Sequence, residues 1–167
     1  RENRSALLAL ALVANPGALH ELVPASRRWA PVRPMQVLLR GRGDTPLHFL
    51  VSAVLAAEGG GPLSDAIGVY KEVSDSRGGS GFSFNDLAAD RAGTRLGLRA
   101  RRDALALQQR LAAPLREDEL LPDVSDLPED MPEPVFKRRF GGVDAPAYRE
   151  MLATIEQRLD RLPLLRN

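Results

Sequence analysis

Apolar residues recur along this chain at helical spacing, and clusters of proline and glycine interrupt them. The run ALLALALVA (residues 6–14) predicts an N-terminal helix that stops near Asn15-Pro16-Gly17, and GALHEL (17–22) predicts a short second one. Residues 24–43 hold Pro24, Pro31, Pro34, Gly41 and Gly43 around one apolar piece, MQVLL, and read as irregular chain. Asp44-Thr45-Pro46 then supplies a cap and an early-turn proline for a helix through LHFLVSAVLAAE, ended by Gly59-Gly60-Gly61. A third helix runs from Pro62 to about Ser76, with Leu63, Ala66, Ile67 and Tyr70 at helical spacing.

The loop RGGSG (77–81) cannot be helical. Ser83 with Asp86 resembles a capping box with Asp in the place of Glu or Gln, and opens a fourth helix reaching about Ala112. Its expected inner residues are Leu87, Leu98, Leu105 and Leu111. Six prolines between residues 114 and 146 exclude a long helix there, and Asp144 and Pro146 cap a last helix, AYREMLATIEQRLDRL. The pattern is all-α: a single helical domain over residues 1–167, of about five helices, with a long proline-rich irregular segment before the C-terminal helix.

A chain of 167 residues buries about 70% of its unfolded surface and needs no crosslink. It has no cysteine, so disulfides, thiolate catalysis and cysteine zinc sites are excluded. With 23 basic and 22 acidic residues the net charge is +1, which argues against a general nucleic-acid partner or a polybasic arm; any electrostatic function is local. The run at 6–14 falls far short of the roughly 20 residues that span a bilayer, so no transmembrane segment is expected. It reads as a packed helix rather than the remains of a signal segment. The irregular arm, residues 113–146, is acidic (Glu117, Asp118, Glu119, Asp123, Asp126, Glu129, Asp130, Glu133), and the fourth helix is rich in arginine. The two are expected either to meet through bidentate contacts or to remain solvated faces.

Residues three or four apart share a helix face. His48 and Ser52 lie on one face of the second long helix, Glu72 and Asp75 on one face of the third, and Asp86 and Asp90 on one face of the fourth. Gly68 extends the Glu72 stripe, and Gly93 and Gly97 the Asp90 stripe, so both stripes are expected to face protein. Buried carboxylates need compensation. Arg77 and Arg91 are the first expectation, with a proton shared between two carboxylates or a divalent cation on His48, Glu72, Asp86 and Asp90 as alternatives. No other cofactor is expected.

The runs GDTPLHFLVSAVLAAEGG and GVYKEVSDSRGGSGFSFNDLAADRAGTRLG resemble the YfiM family of small bacterial lipoproteins and, more distantly, VanZ-like membrane proteins. The resemblance rests on an Asp four before His-Phe, a Gly-x-x-x-Glu helix, an Arg in a short loop, and Asp-Leu-x-x-Asp before a Gly. These fall on Asp44, His48, Gly68, Glu72, Arg77, Asp86, Asp90 and Gly93, within residues 43–97. Thr45 stands where the family usually has Lys. The resemblance implies a Gram-negative envelope location, periplasmic or anchored on the periplasmic side, and implies no activity.

The first functional expectation is a cell-envelope protein whose cluster is a structural or ligand-binding centre, with Asp44, His48, Asp75, Arg77 and Arg91 as binding residues. The second is a hydrolase or lyase of cell-wall or lipid-linked glycan using Glu72 with Asp86 or Asp90. The third is a metal-dependent phosphoesterase. The expected partner is an envelope glycan, lipid or protein. No Gly-x-Ser-x-Gly elbow occurs, and GGSG lacks the Gly-Lys-Ser/Thr of a phosphate loop. His20 reads as a surface or cap residue, Trp29 as a partly buried anchor, and FKRRF (136–140) as a solvated turn.

Overall fold

A computed structural model describes residues 2–166. Nine α-helices and one 3-10 turn occur among the described residues, with no strands. The N-terminal part holds α1 (Glu2–Ala14), α2 (Pro16–Leu22) and the 3-10 turn Pro24–Arg28. After irregular chain come α3 (Thr45–Gly59), α4 (Gly61–Ser76), α5 (Phe84–Arg102) and α6 (Ala104–Leu111). The short α7 (Glu117–Leu120) and α8 (Glu133–Phe140) lie within the arm, and α9 (Pro146–Asp160) closes the chain. No described helix is long and apolar enough to cross a membrane.

Two backbones meet at the centre. A Cβ on Gly93 would lie 2.0 Å from the Phe49 carbonyl oxygen, and one on Gly97 2.2 Å from that of Ala53. Both contacts advance by four residues on each chain, so α3 and α5 run in the same direction with their backbones touching. Helix α4 runs opposite, because Gly61 meets Leu98 and Gly68 meets Asp90. The glycine stripes face protein, as their spacing predicts.

Helix α4 inverts the usual pattern. Its buried residues are Gly61, Ser64, Gly68, Glu72 and Ser76, whereas Leu63 and Tyr70 are exposed, Tyr70 by 75%. The apolar repeat Leu63, Ala66, Ile67, Tyr70 is therefore real but faces outward. A helix that buries small and polar residues can do so only against polar partners, and Ser64 finds them in the Ser52 carbonyl (3.0 Å) and the Thr94 hydroxyl (2.7 Å).

The long helix expected from Ser83 to Ala112 is broken at Asp103, whose φ of −126° and ψ of 52° are not helical. The break resets the phase, so Leu107 is buried while Leu105 and Leu111 are exposed. The arm is ordered by apolar anchors. Leu121, Val124, Leu127 and Met131 are buried, and Phe82 and Met131 exchange backbone hydrogen bonds of 2.7 and 3.0 Å. FKRRF forms α8 rather than a solvated turn, and its Phe136 ring stacks on Phe82 at 4.0 Å while Phe140 meets Phe84 at 4.8 Å. The arm does not lie along the α5 arginines. Arg91 pairs with Asp65 and Glu156, Arg95 with Glu156 and Asp160, and Arg99 with the Pro163 and Leu164 carbonyls. Of the arginines on the expected long helix, Arg110, now in α6, takes an arm acid, Glu119; Asp126 pairs with Arg158 and Glu129 with Arg42.

Candidate functional site

The close approach of α3 and α5 puts the His48 imidazole between two aspartates of α5. Its Nδ1 lies 3.3 Å from Asp90 Oδ1 and its Nε2 3.6 Å from Asp86 Oδ2. Ser52, one turn on, donates to the same Asp90 oxygen at 2.8 Å. Glu72 of α4 completes the group: His48, Glu72 and Asp90 each offer a ligand atom within 4.8 Å of the others. His48, Glu72, Asp86 and Asp90 are all buried, Glu72 completely.

Glu72 reaches this layer because it takes over a capping role. In a capping box the third helical residue accepts from the N–H of the cap. Here the Ser83 N–H donates instead to Glu72 Oε2 at 2.9 Å, while Ser83 Oγ still accepts from the Asp86 N–H at 3.4 Å. Asp86 is thereby freed to face the imidazole.

The layer is short of positive charge. Three buried carboxylate oxygens have no hydrogen-bond partner: Glu72 Oε1, Asp86 Oδ1 and Asp90 Oδ2. Each such atom costs on the order of 1–3 kcal/mol, more when charged. The titration shifts agree. Burial pushes the Glu72 carboxyl up to about 7, against the opposing pull of the Ser83 N–H and Lys71, and Asp86 adds to the rise. Burial also raises Asp86, opposed by His48. For His48 burial acts to lower the pKa, but the hydrogen bond and charge of Asp90 and the charge of Asp86 together raise it. Every resolved shift among the four is toward holding a proton.

The expected arginines are not the compensating groups. Arg77 is exposed and pairs with Glu133 at 3.3 Å, and Arg91 pairs with Asp65 at 2.6 Å. The nearest side-chain cation besides His48 is Lys71, missed in the sequence reading, whose Nζ lies 3.6 Å from Glu72 Oε1 but 2.6 Å from Asp75. Its signal was its place beside Glu72 and four before Asp75. Asp75 is thus half of a rim ion pair. Asp44 caps α3 through the Thr45 N–H at 2.8 Å, and its bidentate partner Arg42 holds its carboxyl at about 2.

A cavity of about 320 Å³, lined by α3 and α4 and by Ala18 and Glu21 of α2, opens onto the layer. His48, Ser52, Gly68 and Asp90 form its polar wall, with Lys71 and Asp75 at its rim. Glu72 does not line it. A Cβ on Gly68 would sit 2.9 Å from the unpartnered Asp90 oxygen, so the glycine keeps the space beside that oxygen open. One imidazole and two carboxylates at this spacing could hold a metal ion. Comparison of the chain with protein-family models, with curated proteins and with solved structures finds no match.

Proposed function

We propose that this chain is a cell-envelope protein whose buried centre binds one divalent cation of the first transition row, held by His48, Glu72 and Asp90. The observation that carries the reading is that Glu72 and Asp90, each with a buried oxygen that makes no hydrogen bond, bring their ligand atoms and one of His48 within 4.8 Å of one another. A proton satisfies one oxygen, and on Glu72 Oε1 it would itself need an acceptor. A divalent cation satisfies several oxygens at once and balances their charge. Mixed imidazole and carboxylate donors suit Zn²⁺ or Mn²⁺ better than a hard, all-oxygen ion. With aspartates near both ring nitrogens, one nitrogen can face the cation while the other donates to a carboxylate, the usual support of a metal-bound imidazole.

The envelope placement rests on the resemblance over residues 43–97. The glycan-cleaving alternative requires Glu72 to meet a substrate, and its complete burial away from the cavity wall weighs against that. A phosphoesterase would use the same centre with an added reaction, for which no separate observation speaks.

Calorimetric titration of the chelator-treated protein with Zn²⁺ or Mn²⁺ near neutral pH tests the proposal. One equivalent should bind, and the heat should change between buffers of different ionisation enthalpy, because the metal displaces protons from Glu72 and His48 and the buffer takes them up. Asp90→Asn should weaken binding by about 100-fold. The absence of saturable heat, or full affinity in Asp90→Asn, would reject the cation centre.

A further inference from the structure

The net charge of +1 conceals a one-sided stretch of chain. Between Glu21 and Asp44 there is no acidic residue, and five arginines occur: Arg27, Arg28, Arg33, Arg40 and Arg42. Every residue from Arg27 to Leu38 is exposed. Arg40 and Arg42 are spoken for, Arg40 by the Leu121 carbonyl and Arg42 by Asp44 and Glu129. Among the described residues, Arg27, Arg28 and Arg33 make no side-chain hydrogen bond or ion pair with any group.

Apolar side chains are interleaved with these free cations. Trp29 is 41% exposed, not the partly buried anchor expected, and Met35 is 63% exposed; Val32, Val37 and Leu38 are also open to solvent. Pro31 and Pro34 keep the segment extended, and the Met35 N–H donates to the Val13 carbonyl at 3.0 Å, tying it to α1, where Leu10 is exposed as well. Folding thus leaves apolar groups in water beside three arginines that no acid pairs.

We propose that residues 27–38 dock this protein peripherally onto an anionic phospholipid bilayer. Charge complementarity selects the occupant. Arginines with no acid among them are drawn to an anionic headgroup layer, and they can lay their aliphatic stems along it. Tryptophan settles where an apolar ring and a polar N–H are both served, which is the headgroup boundary. Val32, Met35 and Leu38 can then enter the acyl edge, as apolar faces of interfacial segments do. A nucleic acid or a purely acidic protein would match the arginines but leave these aliphatic groups in water. The inference is independent of the cation centre.

The single tryptophan makes the test direct. Emission of Trp29 in the full chain is followed as vesicles are added, of phosphatidylcholine alone or mixed with phosphatidylglycerol, and binding is measured by co-sedimentation. The expected result is a blue shift and protection from aqueous quencher with the anionic vesicles alone. It should reverse near 1 M salt, where the Debye length falls to about 3 Å. R27Q/R28Q/R33Q should lower partitioning at least tenfold, and V32S/M35S should abolish the blue shift while leaving the charges in place. The substituted side chains are exposed, and unchanged circular dichroism will show that the fold is intact; should one variant misfold, the other decides. Equal partitioning to both vesicle types, binding without a change in Trp29 emission, or equal binding to a soluble polyanion such as heparin with the same emission change would overturn the proposal.

Discussion

Gly93→Ala is expected to destabilise the protein by about 3 kcal/mol or more, although alanine is the better helix former by about 1 kcal/mol. The new Cβ would lie 2.0 Å from the Phe49 carbonyl oxygen and 2.8 Å from its carbon. An ordinary carbon-to-oxygen contact is about 3.3–3.6 Å, so α3 and α5 must part by more than 1 Å. Both offending atoms are backbone, which leaves no side chain to swing aside. The separation would also draw Ser52 and His48 away from Asp90, whose bonds span 2.8 and 3.3 Å. Gly78→Ala is the control. Nothing lies within 4 Å of its Cβ position, so it should change urea stability by less than about 0.5 kcal/mol. If the two variants unfold alike, the backbones of α3 and α5 are not in contact as described.

Loading the centre should have a comparable effect and should reverse the pH dependence. At about 100 times its Kd the cation contributes about 2.7 kcal/mol, or roughly 5–10 °C in Tm for a chain of this length. In the chelated protein, the folded Glu72 carboxyl titrates at about 7 and the unfolded one at its ordinary 4.5. The folded state therefore holds this proton more tightly. Its contribution is complete below about pH 4.5 and is lost as pH rises through about 7, a fall of about 2 kcal/mol between about pH 5.5 and pH 8. His48, raised from 6.5, acts in the same sense, its stabilisation present below 6.5 and lost above its folded pKa. Asp86, also raised, follows Glu72. The surface acids with lowered values, such as Asp44 and Asp126, act only below their ordinary 3.8, outside this window. With cation bound, the ligands must be deprotonated and stability should instead climb with pH. Glu72→Gln should lose the cation response and flatten the chelated slope. Thermal unfolding with and without chelator across this range reads both, and a chelated protein more stable at about pH 8 than at about pH 5.5 would contradict the assignment.

What the sequence disclosed was helical phase. Four-residue spacing of polar and glycine positions was enough to place His48, Asp86 and Asp90 on facing stripes, because two helices that touch through Gly93 and Gly97 leave no other side for them. Compensation was not legible, since an arginine's reach depends on which neighbours are nearer. Arg91 lies one residue from Asp90 yet points a hundred degrees away around the helix, to Asp65. The inversion of α4 was hidden for a related reason: Leu63 and Tyr70 repeat as a core face would, and only the polar partners waiting at Ser52, Ser83 and Thr94 make the opposite face the buried one. The arm misled through its charge. Its acids dominate the composition, but exposed ion pairs contribute about 0–1 kcal/mol each, whereas the few apolar residues between them, Leu121, Leu127, Met131 and Phe136, bind it down. The break at Asp103 has no glycine or proline to announce it.

The most direct measurement is anomalous diffraction at the zinc edge from crystals grown with Zn²⁺. The cation centre predicts one buried peak among His48, Glu72 and Asp90, with ligand distances near the usual 2.0–2.2 Å. Data showing the same side-chain arrangement with no buried anomalous peak, or a peak only at exposed residues, would contradict it.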